Sequence, residues 1–436
     1  MKTYLDKNVC EMAKERIAYL FKEFDNVLVS FSGGKDSGVC LNLCYDYAKE
    51  NNLLHKLAMY HLDYEAQYEH TTQYVTETFN QFDGIKKYWL CLPIEAQCAC
   101  RMDGAFWTPW AKENKDIWVR DMPCNEWVIN EDNAPFKVER GLTDNDMQDV
   151  FCDWFKDTYG KTAVVVGIRC QESYERLMII VQTDRRLRYK GNKWTITNQV
   201  GKIDHGMKTF AYPIYDWQVE DVWVYFARTG HKYNKLYDLY YKAGLSVNQM
   251  RVASPFNNCA MGTLKLYKVI DPNNWGKMTG RVNGVNFAGL YGGTTAMGWK
   301  SIKLPKGHTW KSYCYFLLST LDEKLRKHYE RILATSIEYW CEKGGFVAEE
   351  IMPELEALKA DYEDKGKSDR YENQRILKFA LYPDELDTKS FAKLPSYKRM
   401  CVCILKNDYY CTYMGFGKTK EAIEKRKKTL EKYKNL

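Results

Sequence analysis

Ser32-Gly33-Gly34-Lys35-Asp36-Ser37 is the stretch of this chain best equipped for chemistry on an anion. Its two glycines let the backbone come close to a bound group, Ser32 and Ser37 bring hydroxyl donors, and Lys35 brings a positive charge. The segment follows the apolar run Val27-Leu28-Val29-Ser30-Phe31 and precedes apolar positions at Val39, Leu41, Leu43 and Tyr47. That pattern reads as strand, loop and helix, so the free N–H groups of the helix's first turn would point at the same anion. Ser30 stands at the strand's end, within reach of the loop. The spacing is not GxxxxGK[ST], which excludes a Walker A loop.

Two later segments carry residues of the same kind. Gly167-Ile168-Arg169-Cys170-Gln171-Glu172-Ser173-Tyr174-Glu175-Arg176 follows the apolar run Ala163-Val164-Val165-Val166. Its two guanidinium forks suit bidentate capture of phosphate or sulfate. Glu172 would hold an arginine in position or accept a ribose hydroxyl, and Arg169 and Arg176 have ion pairs with Glu172 or Glu175 as their structural alternative. The charge of Arg169 would depress the thiol pKa of its neighbour Cys170. Asp63 ends His61-Leu62-Asp63, where it would bind ribose or cap a helix beginning near Gln67, while His61 reads as a structural histidine.

These segments need a scaffold, and the periodicity supplies one. Helices are expected at 7–24, 37–50, 67–81, 144–158 and Val219–Thr229, with strands at Asn26–Phe31, Lys56–Leu62, Lys87–Leu92, Ala163–Gly167 and Phe210–Pro213. Alternating strands and helices imply an α/β doubly wound parallel sheet with ligands at the strands' carboxyl ends. Ser32 to Ser37, Asp63, Arg169 and Asp216 each follow an expected strand.

With the glycine loop and the Gly167–Arg176 segment, Tyr212-Pro213-Ile214-Tyr215-Asp216-Trp217-Gln218-Val219-Glu220-Asp221-Val222-Trp223 completes a set of three motifs. In this order they resemble the phosphoadenosine phosphosulfate (PAPS) reductase family of the adenine nucleotide alpha hydrolase-like superfamily, over about residues 20–240. The whole chain looks most like that family's larger members of the immunoglobulin-binding-regulator A type. The resemblance implies an adenine nucleotide, PAPS or ATP, held by Ser30, Ser32 to Ser37, Asp63, Gly167, Arg169, Glu172, Ser173, Arg176 and Asp216, with Lys35 and Arg169 acting in catalysis. It places the Asp216 segment near the cleft; Asp216 or Gln218 would equally well start the following helix.

One part of the family pattern is missing. The C-terminal Glu-Cys-Gly nucleophile of the assimilatory reductases is absent, the last cysteines being Cys401-Val402-Cys403 and Cys411-Thr412-Tyr413. No Cys-Cys or CxxC occurs, so an iron–sulfur cluster is not expected; Cys98-Ala99-Cys100 and Cys401-Val402-Cys403 are CxC, a weak ligand spacing. ATP as substrate would bring Mg²⁺, for which no carboxylate cluster marks a place. The implied activity is sulfuryl- or phosphoryl-bond chemistry, including phosphoadenylyl-sulfate reduction. Two alternatives stand beside it: ATP-dependent sulfur transfer to nucleic acid, and a nucleotide-binding regulator acting with a ParB-like partner.

The domain expectation is a nucleotide-binding domain over 1–230 with an insertion at about 93–143, an irregular Gly/Tyr-rich extension over 231–310, and a helical region over 311–436. The insertion, with Trp107, Trp110, Trp118 and Trp127, would pack as a small subdomain or cover the nucleotide. In the last region helices are expected at 311–343, Glu349–Tyr362 and Tyr371–Phe379, with Lys365–Ser368 an exposed connection. The basic tail from Lys418 to Lys434 is a solvated helix or a nucleic-acid patch. A net charge of +7 permits an anionic partner without demanding one. Fifteen cysteines without a signal-like N-terminus point to reduced thiols in the cytoplasm, and no apolar run suggests a membrane span.

Overall fold

The computed structural model describes residues 5–101, 104–181, 187–197, 207–291, 302, 304–368, 373–406 and 408–416. Contacts divide the chain into two compact units. The first is Met1–Ala96, Thr108–Pro255 and Leu266–Arg281; the second is Gln97–Trp107, Phe256–Lys265 and Val282–Leu436.

The first unit is built on seven strands: β1 (Asn26–Ser30), β2 (Leu57–Leu62), β3 (Lys86–Cys91), β4 (Val128–Asn130), β5 (Thr162–Val166), β6 (Thr195–Ile196) and β7 (Lys208–Ala211). They lie in the order β4-β3-β2-β1-β5-β7-β6, parallel except for β6 against β7. Val27, Leu28 and Val29 of β1 and Ala163, Val164 and Val165 of β5 are all fully buried, as strands covered on both faces must be. Helices α1 (Val9–Glu23), α2 (Lys35–Glu50), α3 (Glu69–Gln81), α4 (Asp144–Tyr159), α5 (Tyr174–Val181), α6 (Val219–Thr229), α7 (Leu236–Lys242) and α8 (Pro272–Arg281) complete this unit's main elements.

The chain runs outward from β1 to β4 and then returns to lay β5 on the other side of β1. That reversal makes the carboxyl ends of β1 and β5 a topological switch point, the crevice where open sheets of this kind take ligands. The register pairs Ser30 with Val166, so the loops after Ser30 and Val166 leave the sheet side by side.

The expected strands appear, with β7 beginning two residues before the expected Phe210. Two strands of this sheet were not expected. β4 lies inside the tryptophan-rich stretch, and β6 has two residues, too few for an alternation to register.

In the second unit the expected helix over 311–343 is broken into α9 (Trp310–Ser319) and α10 (Glu323–Ile337), because Asp322 caps a new start by accepting from the Leu325 N–H at 3.0 Å. The expected helix over Glu349–Tyr362 shortens to Met352–Ala357 after a 3-10 turn. The expected helix at Tyr371–Phe379 is a strand. β8 (Gly345–Ala348), β9 (Tyr362–Lys367) and β10 (Gln374–Phe379) form an antiparallel sheet in the order β8-β10-β9, so Lys365 to Lys367 belong to a strand. Leu377 and Phe379 are buried two residues apart, the period of a strand. A further helix, α11 (Tyr397–Leu405), packs on α9 through Met400, Cys401 and Ile404, so this unit remains mostly helical. The tail from Lys418 lies outside the described residues. Among the described residues no helix is long and apolar enough to cross a membrane.

Candidate functional site

The loop after β1 is held in shape by its own hydroxyls. Ser37 Oγ donates to the Gly34 carbonyl at 3.1 Å and lies 3.0 Å from Ser32 Oγ, while the Ser32 N–H donates to Ser37 Oγ at 3.2 Å. Gly33 takes the left-handed conformation, φ +76°. Gly34 is the N-cap of α2 and has no side chain to satisfy the helix start. Partners remote in sequence fix the loop from outside. Asn234 Nδ2 donates to the Gly33 carbonyl at 3.1 Å and to Thr71 Oγ1 at 3.0 Å, and the Lys35 N–H donates to the Tyr237 hydroxyl at 3.0 Å.

Lys35 and Arg169 are both buried here, 4% and 3% exposed. Lys35 Nζ lies 3.1 Å from Asp36 Oδ2, 3.5 Å from the Met250 carbonyl and 5.3 Å from the centre of the Tyr237 ring. Arg169 Nε donates to Asp36 Oδ1 at 2.5 Å and its Nη1 to Gln171 Oε1 at 3.2 Å. Two buried cations therefore share one carboxylate at a helix N-terminus, an end that itself carries partial positive charge. Gly167 brings the two loops together. A Cβ there would stand 2.8 Å from the Asp36 carbonyl carbon and 2.8 Å from the Ser37 nitrogen, so the end of β5 lies directly against the start of α2.

The structure thus gathers Ser30, Ser32 to Ser37, Gly167 and Arg169, and places the other expected residues differently. Asp63 is fully buried and engaged. It accepts from Trp89 Nε1 at 2.7 Å and from the Glu65 N–H at 2.8 Å, and it pairs with Arg120. Burial alone would push its carboxyl up, but Arg120, His61 and Trp89 outweigh it and hold the carboxyl below its usual value. Asp63 does not cap α3. A ribose would have to displace these partners, and α3 is capped by Asp271, whose Oδ2 accepts from the Glu69 N–H at 2.8 Å.

Asp216 is likewise a structural carboxylate. Both its oxygens are taken by Arg16, at 2.8 and 2.6 Å, and Arg16 also donates to the Pro213 carbonyl at 2.7 Å. The helix after it starts from Gln218, whose N–H donates to Asp221 Oδ2 at 2.7 Å. Arg176 pairs with Glu172 one helical turn away, and Ser173 Oγ accepts from the Arg176 N–H at 3.3 Å, so this trio builds the start of α5. Arg251 Nη2 donates to the Glu172 carbonyl at 2.8 Å. The Cys170 thiol is pushed up by burial and by Asp216, the reverse of the depression expected from Arg169.

Sequence reasoning missed Asn234, Tyr237, Arg120 and Glu65. Glu65 is fully buried with φ +65° and accepts from the Trp110 N–H at 2.8 Å, the Val119 N–H at 3.0 Å and Arg281 Nε at 2.8 Å. Only the tertiary fold brings these partners together. Among the described residues no group of three or more His, Cys, Asp or Glu side chains is placed to hold a metal ion.

A doubly wound sheet with a strand, glycine loop and helix at its switch point puts the first unit in the α/β class of folds that take ligands at that crevice. Within it, the chain belongs to the phosphoadenosine phosphosulfate reductase family, whose domain matches residues 26–243. Residues 244–425 match a domain of unknown function, DUF3440. The uncharacterized protein YbdN of Escherichia coli K12 is 30% identical over 420 residues, covering 95% of this chain and 92% of the relative. Solved structures are more distant. The phosphoadenylyl-sulfate reductase of Candida auris, as a phosphate complex, is 13% identical over 54% of this chain and 93% of its own, with a TM-score of 0.26. The FMN adenylyltransferase of Candida glabrata is also 13% identical, over 54% of this chain and 62% of its own, with a TM-score of 0.30. Likenesses this slight carry no argument about activity.

Proposed function

We propose that the first unit binds an adenine nucleotide, PAPS or ATP, with its anionic end on the loop from Ser32 to Ser37, and acts at a sulfuryl or phosphoryl bond. The observation that carries this reading is the charge balance at the start of α2. Lys35 and Arg169 are both buried and share the single carboxylate of Asp36, so one positive charge remains over among these three groups. Burying a cation is costly unless an anion meets it, so the site is built for an anionic guest. Membership of the PAPS reductase family supplies the adenine nucleotide as the chemical class.

On this reading Lys35 and Arg169 stabilise the negative charge that grows on the group being cleaved or transferred, and the backbone of the loop adds fixed dipoles. Gly167 and Tyr237 are positioning residues: one sets the distance between the loops and the other holds the Lys35 N–H. The residue that attacks the bond is not assigned to this unit.

Thermal unfolding of the full chain with ATP, PAPS, AMP and adenylyl sulfate, each with and without Mg²⁺, tests the reading. A ligand present at about a hundred times its Kd stabilises by about 2.7 kcal/mol. PAPS or ATP should raise the midpoint, and Lys35→Ala should abolish the rise. If none of the four nucleotides moves the midpoint of the folded protein, the reading is wrong.

A further inference from the structure

Three pairs of thiols in the second unit lie within hydrogen-bond reach of each other: Cys98 with Cys100, Cys314 with Cys401, and Cys403 with Cys411. All six are buried. The four C-terminal ones sit inside the core of α9, α10 and α11, where Cys401 is pushed up by Cys314, and Cys403 by burial and by Cys411. Such thiols are inert.

Cys98 differs because it opens on a space. It lines a cavity of about 560 Å³ whose other walls include Phe106, Lys406, Tyr409, Tyr410 and Tyr413. Cys100 does not line that cavity. It stands behind Cys98, 2% exposed, with its Sγ 3.6 Å from Met261 Sδ.

The backbone holds this arrangement. Cys98 still pairs as in a hairpin, its N–H donating to the Ala105 carbonyl at 2.8 Å, but the chain bends at Ala99 and Cys100 while the Ala99 N–H donates to the Phe256 carbonyl at 2.7 Å. In an extended strand the two side chains would stand two residues apart on one face. The bend brings them together. Gly284, at φ +88°, lies so close that a Cβ would come within 2.1 Å of the Cys100 carbonyl oxygen, so its backbone is packed against the bend.

The charge distribution matches. Contact with the Cys100 side chain is the largest influence on the Cys98 thiol, and the backbone N–H groups of Cys100 and Arg101 together with the Arg101 charge add to it, so the Cys98 thiol is lowered despite its burial. Cys100 is raised by the same contact and by burial. The thiol facing the cavity is thus the more readily ionised of the two, and the one behind it the more firmly protonated.

We propose that Cys98 and Cys100 form a dithiol redox pair that reduces a low-molecular-weight disulfide entering the cavity from solvent. The Cys98 thiolate attacks one sulfur of the disulfide RSSR, the S–S bond breaks, and RS⁻ leaves to take up a proton as RSH. Cys100 then gives up its proton and attacks the Cys98 sulfur of the mixed disulfide. The second RS⁻ leaves, takes that proton, and departs as RSH. Two electrons have passed from the cysteine pair to RSSR, and a Cys98–Cys100 disulfide remains. The aromatic walls, the ammonium of Lys406 and the carboxylate of Asp408 suit a peptide-like disulfide that carries both carboxylate and ammonium groups.

Oxidised glutathione is the probe. The reduced full-length protein is incubated with it, quenched in acid, alkylated and mapped by mass spectrometry. The wild type should lose two hydrogens between Cys98 and Cys100 while both resist alkylation. Cys100→Ser should trap glutathione on Cys98, and Cys98→Ser should carry none on Cys100. The exposed Cys124 and Cys259 are the internal controls. The proposal is overturned if Cys98 and Cys100 stay fully alkylatable in the wild type, a result that needs no variant to fold. It is equally overturned if the adduct in Cys100→Ser falls on Cys124 or Cys259 instead of Cys98.

Discussion

Asp36 decides how the two cations of the switch point behave. Its carboxylate meets Lys35 and Arg169 at once, and both cations are almost fully buried. Removing one partner from a buried ionic cluster costs about 3 kcal/mol or more, because the remaining charge is left alone. Asp36→Asn should therefore lower the stability of the free protein by about 3 kcal/mol in urea titration, and pyrophosphate should restore more of it than in the wild type. Equal restoration in both proteins would mean that no anion replaces the carboxylate. His61 makes a second prediction at this scale. It is buried, its Nδ1 lies 2.8 Å from the Phe31 carbonyl, and burial holds its pKa below the usual value against the opposing pull of Asp63. The unfolded chain takes up the proton first, so this group's contribution is full above about pH 6.5 and is lost as pH falls towards the folded value. The slope reaches at most about 1.4 kcal/mol per pH unit, and His61→Asn should flatten it in unfolding measured from pH 7.5 to 5.

At the scale of elements, the site depends on how closely β5 approaches α2. Gly167→Ala puts a methyl group 2.8 Å from backbone atoms of Asp36 and Ser37, and neither element has a flexible side chain to yield there. We expect a loss of about 1–3 kcal/mol in stability, with nucleotide affinity falling alongside because the helix start must shift. A variant of unchanged stability and affinity would refute the close approach. The helix α4 is tied to the sheet by Lys208, whose Nζ lies 3.2 Å from Asp149 and 2.7 Å from Asp153. Lys208→Met strands two carboxylates and should destabilise by about 3 kcal/mol at pH 7, read by urea titration. Elements with long apolar runs were legible in the sequence: β1, β2, β5 and α6 fall within two residues of their expected places. β10 was read as a helix because Tyr371–Phe379 is short and mixed, and only its pairing with β8 and β9 makes its two-residue period count.

At the scale of the whole molecule, the first unit does not end where the reductase-family match ends. The match stops at residue 243, yet Leu266–Arg281 belongs to the same compact unit. From that return segment Arg281 pairs with the buried Glu65, Asp271 caps α3, and Tyr267 stacks on Tyr68 with ring centres 3.5 Å apart. A fragment of residues 1–243 would leave Glu65 buried without its cation. We expect Arg281→Met in the full chain to cost about 3–5 kcal/mol, and the 1–243 fragment to lack a cooperative unfolding transition by circular dichroism. Cooperative unfolding of that fragment would show that the return segment is dispensable.

The sequence by itself determined the α/β sheet, the glycine loop and the family, because strand periodicity and a phosphate-type loop are local properties of neighbouring residues. It also brought Arg169 into the argument through its place after a buried strand. The tertiary structure decided which polar residues were already spent. Asp63 is taken by Arg120 and Trp89, Asp216 by Arg16, and Arg176 by Glu172. Of these, Arg120 and Arg16 lie 57 and 200 residues away along the chain from the carboxylates they hold. A carboxylate's role follows from the cation that reaches it in space, and separations of that length leave no trace in local spacing.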